Sequence, residues 1–297
     1  MSSLTLKSGT ISSTNAYSLE VSTRPTTRGQ LDLNLQTSLS SLSQTDFVAV
    51  WQTVKALVSW VNAETEDKVR YGVGTDDGKV IHLFPLCRSS QKWQPIRAAE
   101  RPFGNVYLGY LSTNSGPLAS EAYLLSIQKR ITNISGWSTP SFAFQDSTDN
   151  NLFAKLARGE ISQWRVWEDE HHIAFLTPFP NIPGVTVVIP RRHLSSDILS
   201  LEDEEFAALV NAARTVYWIL KTALRVEWVG MFMEGFEIDY AHVKLLPIPM
   251  EQCVTSVDAV GTFHENYQGY LTTQPGPEKN AEELDIPAHL RKLLCER

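Results

Sequence analysis

One short motif occurs twice in this chain, each time with the same spacing to a following glycine and proline. Gly109-Tyr110-Leu111-Ser112-Thr113, followed by Gly116-Pro117, matches Gly269-Tyr270-Leu271-Thr272-Thr273, followed by Gly276-Pro277. Further features repeat around the motif in one order, which is typical of a duplicated domain. The repeat therefore predicts two copies of one fold within the chain.

Each half also carries one long amphipathic pattern ahead of the motif. Apolar residues recur three or four positions apart at Phe47, Val50, Trp51, Val54, Leu57, Val58 and Val61, and again at Phe206, Leu209, Val210, Ala213, Val216, Tyr217 and Leu220. This spacing forms one face of an α-helix, which we expect to pack on a flat apolar surface. Thr45 with Asp46, and Ser200 with Asp203, are the predicted helix starts.

The length of the chain fits two modest domains. A turn segment with Pro and Gly, at 24–29 in the first half and at 179–184 in the second, is followed in each half by an apolar, strand-like stretch. We place the modules at residues 10–134 and 151–297 of the 297, with a polar linker at 135–150.

Composition narrows the function. The chain is 42% hydrophobic and 20% charged, as in ordinary folded proteins, and its net charge of −7 argues against a nucleic-acid partner. It shows neither an apolar signal segment near its start nor a run long enough to span a membrane. We expect a cytoplasmic protein whose partner is a small molecule.

Candidate chemistry lies in the second half, where Tyr240, His242 and Lys244 alternate with apolar residues. In a strand these three side chains share one face, and the apolar residues between them share the buried face. A phenol, an imidazole and an ammonium in a row suit an anionic ligand, and a histidine can act as nucleophile or proton carrier. The alternative is a strand face that merely meets water.

A second polar cluster follows an apolar strand at its end. Arg191, Arg192 and His193 come directly after the β-branched stretch 185–190. We predict that they bind substrate. The alternative is a basic surface turn that leads to the following helix.

These residues resemble a known family. Pro183–His193 looks like the Pro-Gly-His-Thr-Leu-Val-Ile-Pro-Lys-x-His segment of the histidine triad (HIT) proteins, and Asn151–Ile161 is similar to that family's opening segment. Tyr240–Pro247 occupies the place of the triad. The resemblance covers residues 151–248.

The resemblance implies roles for the triad residues. In the family the middle histidine attacks the α-phosphorus of a nucleotide to give a nucleotidyl-histidine, and His242 holds that position. Tyr240 and Lys244 replace the first and third histidines, so proton transfer must differ. Asn151 and Ala154 stand where many relatives carry zinc-binding cysteines; we therefore expect no metal, and we expect no cofactor.

The family also pairs subunits into one continuous sheet, so the resemblance implies an α+β fold of two HIT-like modules. Each module is expected to be an antiparallel sheet with one long packed helix, and the fused pair an intramolecular pseudo-dimer. The stretch 79–85 aligns with the triad strand, but Val80 falls opposite His242. We interpret the first half as a degenerate copy and expect one active site.

Three functions stay open at this point. The first is a hydrolase or transferase that acts on a nucleotide or other phosphorylated small molecule through His242. The second is acid–base chemistry by His242 and Tyr240 on a non-nucleotide metabolite, with Lys244 binding a carboxylate or enolate. The third is a non-catalytic binding or scaffold protein. Association into a larger homo-oligomer also stays open.

Overall fold

The structure is a computed structural model. It describes residues 4–63, 69–86, 95–98, 101–104, 107–142, 148–249, 260–265, 267–280, 283–284, 286 and 290–291.

A single ten-stranded antiparallel sheet organises these residues. Its strands in chain order are β1 (Leu4–Ser12), β2 (Asn15–Val21), β3 (Leu31–Leu35), β4 (Arg70–Thr75), β5 (Val80–Leu86), β6 (Trp164–Glu168), β7 (His172–Leu176), β8 (Thr186–Pro190), β9 (Val229–Met233) and β10 (Val243–Pro247). The spatial order is β1-β2-β3-β5-β4-β9-β10-β8-β7-β6. Both halves thus contribute five strands in the same order, and β4 pairs with β9 at the centre. The α+β fold is confirmed; the duplication that would explain the symmetry stays a prediction.

Two long helices cover one face of the sheet. They are α1 (Gln44–Ala63) and α4 (Asp203–Leu224), and they pack against each other as well as against the strands. All fourteen apolar residues that the spacing selects are buried in one shared core. No helix among the described residues is long and apolar enough to cross a membrane.

The predicted helix starts are displaced by a few residues. Ser43, rather than Thr45, caps α1, because the Asp46 amide donates to its hydroxyl at 3.1 Å. In the second half Ser200 lies in a short 3₁₀ turn and donates to the Asp197 carbonyl, so α4 begins only at Asp203.

The two copies of the repeated motif meet each other. The Thr113 amide donates to the Leu271 carbonyl at 2.9 Å, and the Thr273 amide to the Leu111 carbonyl at 3.0 Å. The two threonine hydroxyls accept from the leucine amides in return, both at 2.8 Å. Each leucine is buried against a glycine of a central strand in the opposite half. The motif therefore joins the halves.

After the motif, each segment crosses onto the other half. The Gly116 amide donates to the Phe179 carbonyl and the Gly276 amide to the Arg24 carbonyl, both at 2.9 Å. Helices α2 (Glu121–Ser135) and α3 (Leu152–Ala157) follow, and α2 packs on β6 and α4. The predicted module 10–134 thus includes a helix that covers the other module, and β1 begins before residue 10. The boundaries stay predictions.

The close crossing of the two segments requires a residue without a side chain at Gly116. A Cβ added there would lie 2.0 Å from the Pro180 carbonyl oxygen, so the backbone must shift to admit it. We expect Gly116→Ala to lower the free energy of unfolding by about 1–3 kcal/mol in urea denaturation, the usual cost of overpacking. Leu118→Ala, in the same segment but 70% exposed, should change it by less than about 0.5 kcal/mol. Equal effects of the two substitutions would contradict the close crossing.

Candidate functional site

A cavity of about 350 Å³ lies on the face of the sheet opposite α4. Apolar side chains of α3, β7 and β8 form one end of it, among them Leu152, Phe153, Phe175 and Val187. The other end is polar and includes Lys244 and Glu237. His242 lies between the two ends, against Phe153. An apolar pocket with a few convergent polar groups is typical of small-molecule sites.

His242 lies just before β10 and is almost fully buried. Its Nδ1 is 2.7 Å from the Tyr240 carbonyl oxygen, and its ring meets the edge of Phe153 at 5.3 Å between centroids. Because a carbonyl can only accept, Nδ1 carries the hydrogen and the lone pair lies on Nε2. Burial, and then the positive charge of Lys244, lowers the pKa of His242 to about 4. The imidazole is therefore neutral at physiological pH, the state a nucleophile needs.

Lys244 is held by groups from both halves. Its Nζ lies 3.5 Å from a carboxylate oxygen of the buried Glu234 and donates to the Thr113 carbonyl of the repeated motif at 3.3 Å. Glu234 in turn accepts a hydrogen bond from the Tyr267 hydroxyl, whose pKa is raised by burial and by the negative charge of Glu234. The ammonium is thus fixed at the cavity wall.

Tyr240 is not presented to a ligand as the alternation suggests. Strand β10 begins at Val243, because the Ala241 amide bonds to the Leu194 carbonyl before the ladder starts. The Tyr240 ring is fully buried, and its hydroxyl donates to the Pro190 carbonyl at 2.9 Å. Burial, with the nearby charge of Asp149, raises its pKa. Tyr240 therefore supports the loop that carries His242.

His193 packs beside this loop. Its ring stacks on Tyr240 at 4.5 Å between centroids. Its Nδ1 lies 2.7 Å from Asp149 and its Nε2 lies 2.8 Å from the Asp239 carbonyl. Both ring nitrogens are thus occupied by protein acceptors. Asn151 donates to the same carbonyl of Asp239 and so ties α3 to the loop.

The structure does not bring Arg191 and Arg192 to the cavity. Arg191 is buried, 3.2 Å from the Glu168 carboxylate, and Arg192 pairs with Glu205 of α4. Both line an open groove of about 520 Å³ that α4 also lines. Arg191 is held there because its guanidinium also donates to the Asp169 and Ser141 carbonyls. A substrate-binding role for these two arginines stays a prediction that this geometry does not favour.

Residues of the first half that the sequence did not indicate as site residues line the cavity. They are Arg97, Arg101, Thr113, Asn114 and Ser115. They reach it because the chain crosses between the halves on both sides of the repeated motif. Only the paired Gly-Pro steps hinted at that crossing.

Comparison with known proteins finds a family match in the second half of the chain. The family model described as "HIT domain" matches residues 158–246. An uncharacterized HIT-like protein of Mycoplasma genitalium is 33% identical over 108 residues, which are 35% of this chain and 76% of that relative. The chain belongs to the HIT family.

Two solved structures are similar to parts of the chain at low sequence identity. A HIT family hydrolase from Clostridium thermocellum has 19% identity and a TM-score of 0.31, covering 34% of this chain and 92% of its own. A uridylyltransferase has 12% identity and a TM-score of 0.43, covering 74% of this chain and 63% of its own. The HIT match includes β6 to β9 and β10 up to Leu246, and thus both His242 and Lys244. The first-half residues of the cavity lie outside it.

The low pKa of His242 predicts a pH-dependent stability. In the folded chain the pKa of His242 is about 4, below the ordinary value of 6.5. Between pH 6.5 and pH 4 this side chain therefore binds a proton in the unfolded chain but not in the folded one. Stability is complete above pH 6.5 and falls as the pH drops towards 4. Between pH 7 and pH 5 in urea denaturation, we expect the wild type to lose about 2 kcal/mol more than His242→Asn, from the size of the shift. Parallel losses would contradict the buried neutral imidazole.

Proposed function

We propose that this HIT protein is a hydrolase or transferase that acts on a nucleotide or another phosphorylated small molecule through His242. One observation carries the proposal: a neutral imidazole, oriented by the Tyr240 carbonyl, lines a cavity with an apolar end. The apolar end suits a flat base, and Lys244 supplies positive charge at the polar end.

The chemistry follows from the tautomer. Nε2 attacks phosphorus, the leaving group departs, and the ring becomes a cation with phosphorus on Nε2 and hydrogen on Nδ1. The Tyr240 carbonyl, which accepts that hydrogen at 2.7 Å, stabilises the developing positive charge. Water or another acceptor then attacks phosphorus and returns the electron pair to Nε2. Lys244 offsets charge on the phosphoryl oxygens.

The acid–base alternative has less support. It requires Tyr240 to exchange a proton with a substrate, yet its hydroxyl is buried and donates to the Pro190 carbonyl. A raised pKa also makes the phenol a weaker acid at neutral pH. A non-catalytic binding protein is the other alternative, and the experiments below distinguish it.

We infer that the first half is a degenerate copy without an active site. Its strand β5 has the place in the sheet that β10 has in the second half, and Val80 stands near its start. A separate pocket beside Phe84 of that strand has a volume of only about 20 Å³. That space is too small for a nucleotide.

The covalent intermediate is the decisive test. With dinucleoside polyphosphates and adenosine 5′-phosphoramidate as alternative substrates, we expect turnover of at least one of them and a nucleotidyl adduct in the intact mass of the protein quenched at alkaline pH. His242→Ala should abolish the adduct and lower kcat/KM by at least about a thousandfold, as loss of a nucleophile does. Arg130→Gln, at an exposed position of α2, is the matched control and should retain both. Absence of turnover and adduct, with His242→Ala indistinguishable from wild type, would sink the proposal.

The pH profile of the reaction gives a second test. Since His242 has a pKa of about 4, the nucleophile stays neutral through mildly acidic pH. We expect kcat/KM to be flat between about pH 7 and 5 and to fall about tenfold per pH unit below about 4. A decline centred near the ordinary histidine pKa of 6.5 would mean that a different group acts. The measurement needs a substrate whose own charge is constant over this range.

A further inference from the structure

The polar end of the cavity collects positive charge that His242 chemistry alone does not require. Among the charged residues that line it, Arg97, Arg101 and Lys244 face one carboxylate, Glu237. This local excess of cations stands against the net charge of −7 for the chain. The Lys244 charge is offset by the buried Glu234, and Arg97 lies 3.5 Å from Glu237. Within the described part of the chain, no carboxylate lies within ion-pair distance of Arg101.

The two arginines are anchored at this place. The Ile96 amide donates to the Phe236 carbonyl at 3.2 Å, and the Gly104 amide donates to the Asn181 carbonyl at 3.0 Å. Between these anchors the Arg101 guanidinium lies 5.4 Å above the ring of Phe179. Gly269 of the repeated motif lets the backbone of residues 97–98 pass close by, since a Cβ there would lie 2.7 Å from the Ala98 nitrogen. Both segments therefore belong to the second-half site in space.

We propose that Arg97 and Arg101 form an anion subsite, supplied by the first half, for a second phosphate on the leaving side of the substrate. The preferred substrates are thus phosphoanhydrides, in which a phosphate is the group that departs. Guanidinium groups suit this task because their fixed donors match phosphate oxygens. The inference rests on the proposed function of His242 and names the substrate class for it.

The replacement of the first triad histidine by Tyr240 is consistent with a phosphate leaving group. Attack forms the Nε2–P bond and breaks the P–O bond to the bridging oxygen, which keeps the electron pair and leaves as a terminal phosphate oxygen. A phosphate departs as an anion, whereas an amine leaving group must gain a proton. Tyr240 donates its hydroxyl hydrogen to the Pro190 carbonyl and is not placed to supply one. Water then displaces Nε2 from phosphorus and releases its proton to solvent.

Binding measurements on the full chain test the subsite without turnover. Calorimetry compares AMP with α,β-methylene-ADP, which carries a second phosphate but cannot be cleaved at that bridge. We expect the wild type to bind the methylene analogue at least about tenfold more tightly than AMP, as charge-assisted hydrogen bonds would provide. In the double variant Arg97→Gln/Arg101→Gln the ratio should approach about one, with AMP affinity unchanged within about twofold. Arg130→Gln, at an exposed position of α2, should keep the wild-type ratio.

Each other outcome overturns the subsite. An unchanged ratio in the double variant, an equal loss for both ligands, or a wild type that binds neither nucleotide all contradict it. Failure of the two proposals is distinguishable. If α,β-methylene-ADP is favoured through the arginines but no adduct forms on His242, the subsite stands and the covalent mechanism fails. If the adduct forms and the arginines do not affect the ratio, the mechanism stands and the subsite fails.

Discussion

Main-chain pairing between the halves is the constraint on which the rest of the molecule depends. In a separate half, β4 or β9 would be an exposed edge, and an edge of free amides and carbonyls invites pairing with another chain. Here the backbone amides and carbonyls of β4 and β9 pair with each other. Above the junction Leu111 and Leu271 pack into the space left by Gly230 and Gly72. A second core therefore forms on this face, and it borders the cavity.

The site inherits this dependence on the junction. Lys244 donates one hydrogen bond to the Thr113 carbonyl, which belongs to the first copy of the motif. His242 depends instead on its own half, through the Tyr240 carbonyl and the Phe153 ring. The orientation of the His242 imidazole is thus set by local backbone geometry, whereas the position of the Lys244 charge requires both halves.

Local patterns in the sequence predicted individual helices and strands. They could not predict contacts between segments that are distant in the chain. The periodicity from Phe47 to Val61 was sufficient for α1, because one apolar face suffices to orient a helix on a sheet. Alternation around His242 correctly placed the apolar residues between the three polar ones on the face towards α4, but it could not show that the Tyr240 hydroxyl donates to a carbonyl in the folded chain. Arg97 carried no local signal at all, since its position depends on anchors at Phe236 and beyond.

The crossing of each half over the other has a consequence for how such a chain can evolve. A half without an active site, as proposed for the first, would ordinarily be free to disappear, yet here its removal would expose a sheet edge and remove part of the cavity wall. On this proposal the first half is retained as a scaffold, and its segments 95–98 and 101–104 can vary while the residues around His242 stay the same. Selection would then change which substrate the protein accepts through one part of the gene and conserve the reaction through another.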